Sequence, residues 1–300
     1  MRHSLSKSAG IALLIGVNIM WGLSFIFSKT ALSEGIPSMT LVFLRYLITS
    51  ALLVPACLHH ERGIRLRAWA PRAFLTSMLG ITIYYFFEYS GLQRTTASAA
   101  SLIVALVPMM TLLCRVVFLR ERVSPGRWGL VALSLLGVWF VIRADAQDGA
   151  GSLAGNLFMV CACLCWTGYI MVMPKLAASC SSLRITAWQS LAATVTLLPF
   201  ALAERHAWVP LSAKAWLCIF LLAAVCSGLC YVLYNVSMRV VDPLTVALTI
   251  NINPITACVA GALMLRETLT PMQLAGGLLI MAAVLADAVL SARAGTENRA

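Results

Sequence analysis

The chain reads VPMMTLLCRVVFLRERVSP from Val107 to Pro125 and NPITACVAGALMLRETLTP from Asn253 to Pro271. Each stretch opens with a proline inside an apolar run (Pro108, Pro254). Each then closes on Leu-Arg-Glu (Leu119-Arg120-Glu121, Leu265-Arg266-Glu267) and ends on a hydroxyl residue and a second proline (Ser124-Pro125, Thr270-Pro271). Every matched pair is separated by 146 positions. A constant offset near half of a 300-residue chain is the mark of an internal duplication. Apolar repeats broken by proline at the same place point to a transporter whose site lies between its halves.

Composition sets the solvent. The chain is 61% hydrophobic and 11% charged, with a mean hydropathy of +0.90, whereas soluble domains are about a quarter charged. Most of its surface is therefore built for lipid. The net charge of +11 does not indicate nucleic acid, because the basic residues fall between apolar runs, at headgroup level. Most of the ten cysteines lie inside those runs and read as small reduced hydrophobes rather than a disulfide framework.

A backbone crossing lipid must satisfy its own hydrogen bonds, so each run of about 20 apolar residues predicts a helix. Ten are expected: Ile11–Thr30, Thr40–Leu58, Arg72–Gly91, Ala97–Leu119, Arg127–Ile142, Ser152–Pro174, Arg184–Ala203, Ala215–Val236, Leu244–Leu265 and Pro271–Leu290. The fifth is the shortest. Fourteen Lys and Arg fall on the side of the termini against six on the other, which predicts that both termini are cytoplasmic. Most of the bias comes from Arg62, Arg65, Arg67, Arg120 and Arg122, in the first half. The basic start followed by an apolar stretch is not read as a cleaved signal peptide. The stretch is long, no small-x-small site follows, and Trp21 recurs as Trp166. Five helices per repeat turn the second copy upside down. The expected fold is thus an all-α membrane protein of ten transmembrane helices in two inverted five-helix repeats, residues 11–143 and 152–290. Inverted repeats are a frequent basis for alternating access.

Several residues carry a resemblance. Trp21-Gly22 with Lys29, Arg45-Tyr46, and the run from Phe87-Glu88-Tyr89 through Thr95-Thr96-Ala97-Ser98 to Pro108 and Leu119-Arg120-Glu121 have a second-half counterpart. That counterpart runs from Tyr234-Asn235 through Asn253-Pro254 to Arg266-Glu267. Together they resemble the EamA family of the drug/metabolite transporter superfamily over nearly the whole chain. The resemblance implies a cell (inner) membrane transporter of ten helices that exports or exchanges small metabolites such as amino acids, related amines or drugs. Thr167 and the Pro174-Lys175 pair depart from the first-helix pattern, so the two copies need not do equal work.

Candidate residues follow from chemistry. Pro108 and Pro254 are expected to kink their helices and free a carbonyl at the cavity; packing alone is the competing reading. Glu88 is the deepest acid and Arg45 lies at a similar depth, so a Glu88–Arg45 pair is expected. Glu88 is also the one candidate for a coupling proton. Trp21, Trp166, Tyr84, Tyr169 and Tyr234 place amphipathic rings away from the interfacial belt, where a wet cavity would satisfy their polar atoms. Ser24, Ser98, Ser101, Thr245, Thr249 and Asn253 supply small hydrogen-bonding groups, although in lipid many such groups bond another helix or their own backbone. Cys161, Cys163 and Cys165 make a poor metal site, since Cys163 points away from the other two. No metal or cofactor is expected. No His-Glu-x-x-His, Gly-x-Ser-x-Gly or Gly-x-x-x-x-Gly-Lys run is present, which disfavours an enzyme and an ATP-driven pump. No channel filter is legible.

Overall fold

The computed structural model describes residues 6–60, 66–120, 123–147, 151–177, 180–237, 240–241 and 249–297. Among them the chain is helical throughout, with α1 (Lys7–Ser33), α2 (Ser38–His60) and α3 (Leu66–Ser77), which continues through a π-helical stretch (Met78–Thr82) into α4 (Ile83–Leu92). Next come α5 (Ala97–Val104), α6 (Val107–Leu119), α7 (Pro125–Gln147), α8 (Leu153–Ala177) and α9 (Ser182–Ala203). The last group begins with α10 (Ala213–Phe220), which continues through a second π-helical stretch (Leu221–Leu229) into α11 (Cys230–Ser237); α12 (Ile252–Met264) and α13 (Pro271–Glu297) close it. Seven helical segments among the described residues are long and apolar enough to cross a bilayer. The remaining expected runs are also helical where described: 66–92, Ile252–Met264 and Pro271–Glu297. The fifth run is longer than its apolar core suggested, because α7 extends from Pro125 to Gln147.

Local chemistry sets the ends of these helices. Hydroxyls of Ser6, Thr96, Ser181 and Ser212 accept the N–H of the residue three positions on, which satisfies an orphan donor of each first turn. The Leu-Arg-Glu phrase is a helix stop: Arg120 and Arg266 take left-handed backbone at φ 53° and 56°. Arg120 N–H bonds back to Arg115 O, and Leu265 N–H and Glu267 N–H bond Gly261 O at 3.0 and 3.1 Å. The left-handed residue ends the helix and turns the chain.

Each proline follows a local interruption at which the backbone stays in the right-handed helical region (Ala105 φ −61°, Leu106 φ −72°, Asn251 φ −65°). The run 97–119 is interrupted at Ala105 and Leu106, and Pro108 is the second residue of α6. The helix at 249–250 is interrupted at Asn251, and Pro254 is the third residue of α12. Proline is tolerated in a first turn, where its missing N–H has no helical partner. Ala105 and Asn251 are again 146 apart, as are Thr82 and Gly228 in the two π stretches.

The heaviest helix packing crosses between the first and second halves of the chain: α7 on α13, α2 on α9, α4 on α8 and α1 on α12. Glycine makes two of these seams possible. A Cβ on Gly22 of α1 would stand 2.6 Å from Thr256 Cβ and 2.7 Å from Asn253 O. Gly137 on α7 and Gly276 on α13 face each other, so that a Cβ on either meets the other's carbonyl oxygen at 2.6 or 2.5 Å. Small residues let helix backbones approach this closely in a membrane. Gly129, also on α7, faces open space. Near the other end of the α7–α13 seam Arg127 Nε pairs with Asp287 Oδ1 at 2.7 Å. The outer shell is apolar, with Leu263 79% and Phe118 73% exposed, as suits a surface whose solvent is hydrocarbon.

Candidate functional site

All seven tyrosines of the chain meet in one interior cluster with Trp21 and Trp166. Trp21 of α1 packs against Tyr231 and Tyr234 of α11 at centroid distances of 5.3 and 5.1 Å. Trp166 of α8 stacks on Tyr169 at 4.8 Å and faces Tyr84 at 5.2 Å and Tyr231 at 6.3 Å. The rings continue through Tyr84–Tyr85 (4.9 Å) and Tyr85–Tyr89 (5.5 Å), with Tyr46 of α2 beside Tyr85 at 5.7 Å. Tyrosines in membrane proteins ordinarily mark the two interfaces; here they have been gathered inside. The helices α7 and α13 contribute none.

The π stretches help to build this core. A π turn widens the helix locally and re-aims its groups. In the second stretch, Cys226 O accepts from Trp21 Nε1 at 3.1 Å and Ala223 O from Thr49 Oγ1 at 2.9 Å. In the first, Gly80 leaves room for a ring: a Cβ there would lie 2.4 Å from Tyr169 Cδ2. Gly80→Ala is therefore expected to push Tyr169 off its Trp166 stack and to cost about 1–3 kcal/mol. Tryptophan fluorescence and thermal unfolding in detergent would check it; unchanged spectra would contradict the contact.

Arg45 is the charged centre, 2% exposed. Its Nε donates to Ser227 Oγ at 2.6 Å and its Nη1 to Tyr89 Oη at 3.2 Å, and Tyr89 in turn shares a 2.8 Å hydrogen bond with Ser28. The guanidinium also lies over Tyr85 at 4.7 Å and Tyr46 at 5.8 Å. The expected Glu88–Arg45 ion pair is not formed: among the described residues no salt bridge joins them, and hydroxyls and ring faces solvate the cation instead. Glu88 is buried, with the Tyr84 hydroxyl and the Arg45 charge as its electrostatic neighbours. Beside Ser227 is a void with room for about one water molecule, lined by Tyr46, Ile81, Thr186, Gln189, Ser227 and Tyr231. The Tyr46 hydroxyl has no hydrogen-bond partner. Gln189 Nε2 donates to Thr76 Oγ1 at 2.6 Å.

The structure brings together Trp21, Tyr84, Glu88, Trp166, Tyr169, Tyr234 and Arg45. It places the small polar candidates elsewhere or spends their hydroxyls. Ser24 bonds Trp21 O at 2.6 Å and Ser101 bonds Ser98 O at 2.8 Å. Ser98 bonds Glu267 Oε2 at 2.7 Å, at a helix end. Thr249 accepts from Asn18 Nδ2 at 3.4 Å, and Asn253 Oδ1 has no partner. Thr245 lies outside the described residues. Tyr46, Thr186 and Ser227 were not among the candidates; the signal that would have found Tyr46 is that an amphipathic ring adjoins a buried arginine. Among the described residues no His, Cys, Asp and Glu side chains group as a metal site, and Cys163 Sγ donates to Ile103 O at 3.5 Å.

An apolar shell around a charged aromatic interior defines a multi-pass membrane protein, and comparison with known proteins gives its kind. The profile of the EamA-like transporter family matches residues 8–143 and 153–286. The chain belongs to that family. An uncharacterized transporter of Archaeoglobus fulgidus is 25% identical over 271 residues, 89% of this chain and 92% of its own. A Salmonella typhimurium protein named "Probable amino-acid metabolite efflux pump" is 25% identical over 291 residues, 92% of this chain and 93% of its own. A solved structure described only as "Crystal structure of protein" has the same fold, with a TM-score of 0.65 at 19% identity, over 93% of this chain and 98% of its own. The protein is a transporter by family, not an enzyme.

Proposed function

We propose that this transporter exports small organic solutes across the cell membrane by alternating access, with the aromatic core around Arg45 and Glu88 as its substrate site. In this reading ten transmembrane helices form two inverted repeats, residues 11–143 and 152–290, and both termini are cytoplasmic. The observation that carries it is the placement of every tyrosine, two tryptophans, one arginine and one buried acid between the halves. Charged groups inside a membrane bundle are costly and are kept for pathways. The 146-residue offset of the left-handed arginines, with interruptions before both prolines and π stretches that overlap at the same offset, supports the repeats. The name of the Salmonella relative favours amino-acid-related substrates, and the rings suit aromatic or amphipathic solutes; amines and drugs belong to the same panel.

Proton exchange is the coupling this site favours, with Glu88 as carrier. Uptake into proteoliposomes across amino acids, amines and drugs, with and without a pH gradient, tests both parts. Saturable, gradient-sensitive flux is expected, and Glu88→Gln should remove its pH dependence. Flux that keeps its pH dependence in the variant ends the proton role; no saturable flux for any solute ends the reading.

A further inference from the structure

Three carboxylates bridge the halves of the chain at one face. Glu34, just past α1, accepts from Ser212 N–H at 3.1 Å and Ser212 Oγ at 2.7 Å, at the start of α10. Glu204, just past α9, accepts from the N–H groups of Met39 (3.3 Å) and Thr40 (2.7 Å) and from Thr40 Oγ1 (2.8 Å), at the start of α2. Glu267, past α12, accepts from the N–H groups of Ala97 (2.8 Å) and Ser98 (2.9 Å) and from Ser98 Oγ (2.7 Å), at the start of α5. In each bridge the carboxylate belongs to one half and the helix start to the other.

Bonds from backbone N–H to a carboxylate are charge-assisted, and the positive end of the helix dipole strengthens them. Simple capping does not call for all of this. The starts of α5 and α10 already carry their own hydroxyl caps, Thr96 and Ser212. The Ser212 hydroxyl first, then its N–H, with Lys214 nearby, hold the Glu34 carboxyl below its ordinary range. That bridge is therefore intact at neutral pH and lost only as pH falls through the lowered value. Thr40 is further fixed by Trp208, whose Nε1 donates to its Oγ1 at 3.0 Å. Lys29 Nζ, on the same face, donates to the carbonyls of Leu92 and Thr95 at the end of α4. Among the described residues, the Arg127–Asp287 ion pair between halves lies on α7 and α13, the helices that contribute no ring to the core.

We propose that Glu34, Glu204 and Glu267 are the gating residues of this carrier. The three bridges hold the face shut over the aromatic core, and the core opens to that face only when the carboxylates leave the helix starts. The proposal rests on alternating access, as inferred above, and adds which groups must release.

The test uses the full chain in oriented vesicles and its own cysteines. Cys226 and Cys230 are 0% and 2% exposed beside the core. A charged, membrane-impermeant methanethiosulfonate is added to one face at a time, and labelling is read peptide by peptide by mass spectrometry. Amide hydrogen exchange at Thr40 and Ser98 reports the bridges themselves. In the Glu204→Gln, Glu267→Gln double variant, exchange at both amides should rise and labelling of Cys226 from the bridged face should quicken roughly tenfold. Glu34→Gln alone, at a partly exposed site, should give a smaller increase in labelling, with its exchange read at the Ser212 amide, and serves if the double variant does not fold. Faster exchange with unaltered labelling would reduce the bridges to helix caps and overturn the gate. Unaltered exchange in the double variant would overturn it too. Equal labelling of Cys226 from both faces of the unmodified protein would instead overturn alternating access itself, whatever the bridges do.

Discussion

Replacing Arg45 with leucine is expected to lower transport by about a hundredfold or more, as displaced site groups can, while the chain still folds. The stability term is a small difference between large ones. Arg45 makes two charge-assisted hydrogen bonds and two ring contacts, worth about 1.5–3 kcal/mol per bond and up to about 2 kcal/mol for a desolvated ring. Burying its charge costs several kcal/mol in return, and well-packed apolar replacements of buried ions are often neutral. A net loss of roughly 1–2 kcal/mol is therefore expected. Function has no such compensation, because Arg45 is the cation of the core and orients Tyr89 and Ser227. Lysine keeps the charge but lacks the planar fork that reaches both partners, so Arg45→Lys should fall between wild type and Arg45→Leu. Flux of whichever solute the panel identifies, beside thermal unfolding in detergent, separates the two terms. Wild-type flux in Arg45→Leu would remove the core from the pathway.

The largest effect on stability is expected from Gly276→Val. Even the first carbon of the new side chain would stand 2.5 Å from Gly137 O, 2.9 Å from Val141 Cγ2 and 3.0 Å from Phe140 Cβ. The obstacle is backbone, which moves only if α7 and α13 separate. Overpacking typically costs about 1–3 kcal/mol, and here two helices must part along a seam, so roughly 3 kcal/mol or more is expected, with Gly276→Ala about half as severe. Gly129→Ala is the control, since its new methyl meets nothing within 4 Å. Thermal unfolding of the three variants checks the order; a Gly276→Val protein as stable as wild type would mean the seam is looser than described.

Much of the fold was legible because lipid leaves the backbone few options. The apolar runs could be read as helices without knowing a single contact, and they are helical where the chain is described, seven segments among those residues being long and apolar enough to cross a bilayer. The matched Leu-Arg-Glu phrases were visible as a repeat, but not their left-handed backbone, which no pattern of side chains announces. The π stretches were hidden for the same reason. In the site, the rings at Trp21, Tyr84, Trp166, Tyr169 and Tyr234 could be chosen because a tyrosine or tryptophan deep in a span needs a polar partner. The rotation of one helix against another could not be read, and it decides the rest. Arg45 and Glu88 lie at similar depth, yet α2 turns the guanidinium toward Ser227 and Tyr89. Ser98 has the composition of a cavity group but sits at a helix start, where Glu267 claims it from 169 positions away. Glu34 and Glu204 carry no signal in the sequence, because a carboxylate past the end of a span reads as ordinary headgroup-level charge until its distant partner is known.

The strongest helix pairings all join an early segment to a late one. During synthesis, α1, α2, α4 and α7 must wait in the bilayer with their complementary surfaces bare until their mates emerge from the ribosome. A nascent chain in that condition holds Arg45 with only its first-half partners Tyr46, Tyr85 and Tyr89, before Ser227 arrives from the second half, so the membrane insertion machinery must tolerate a cation whose native solvation is still incomplete.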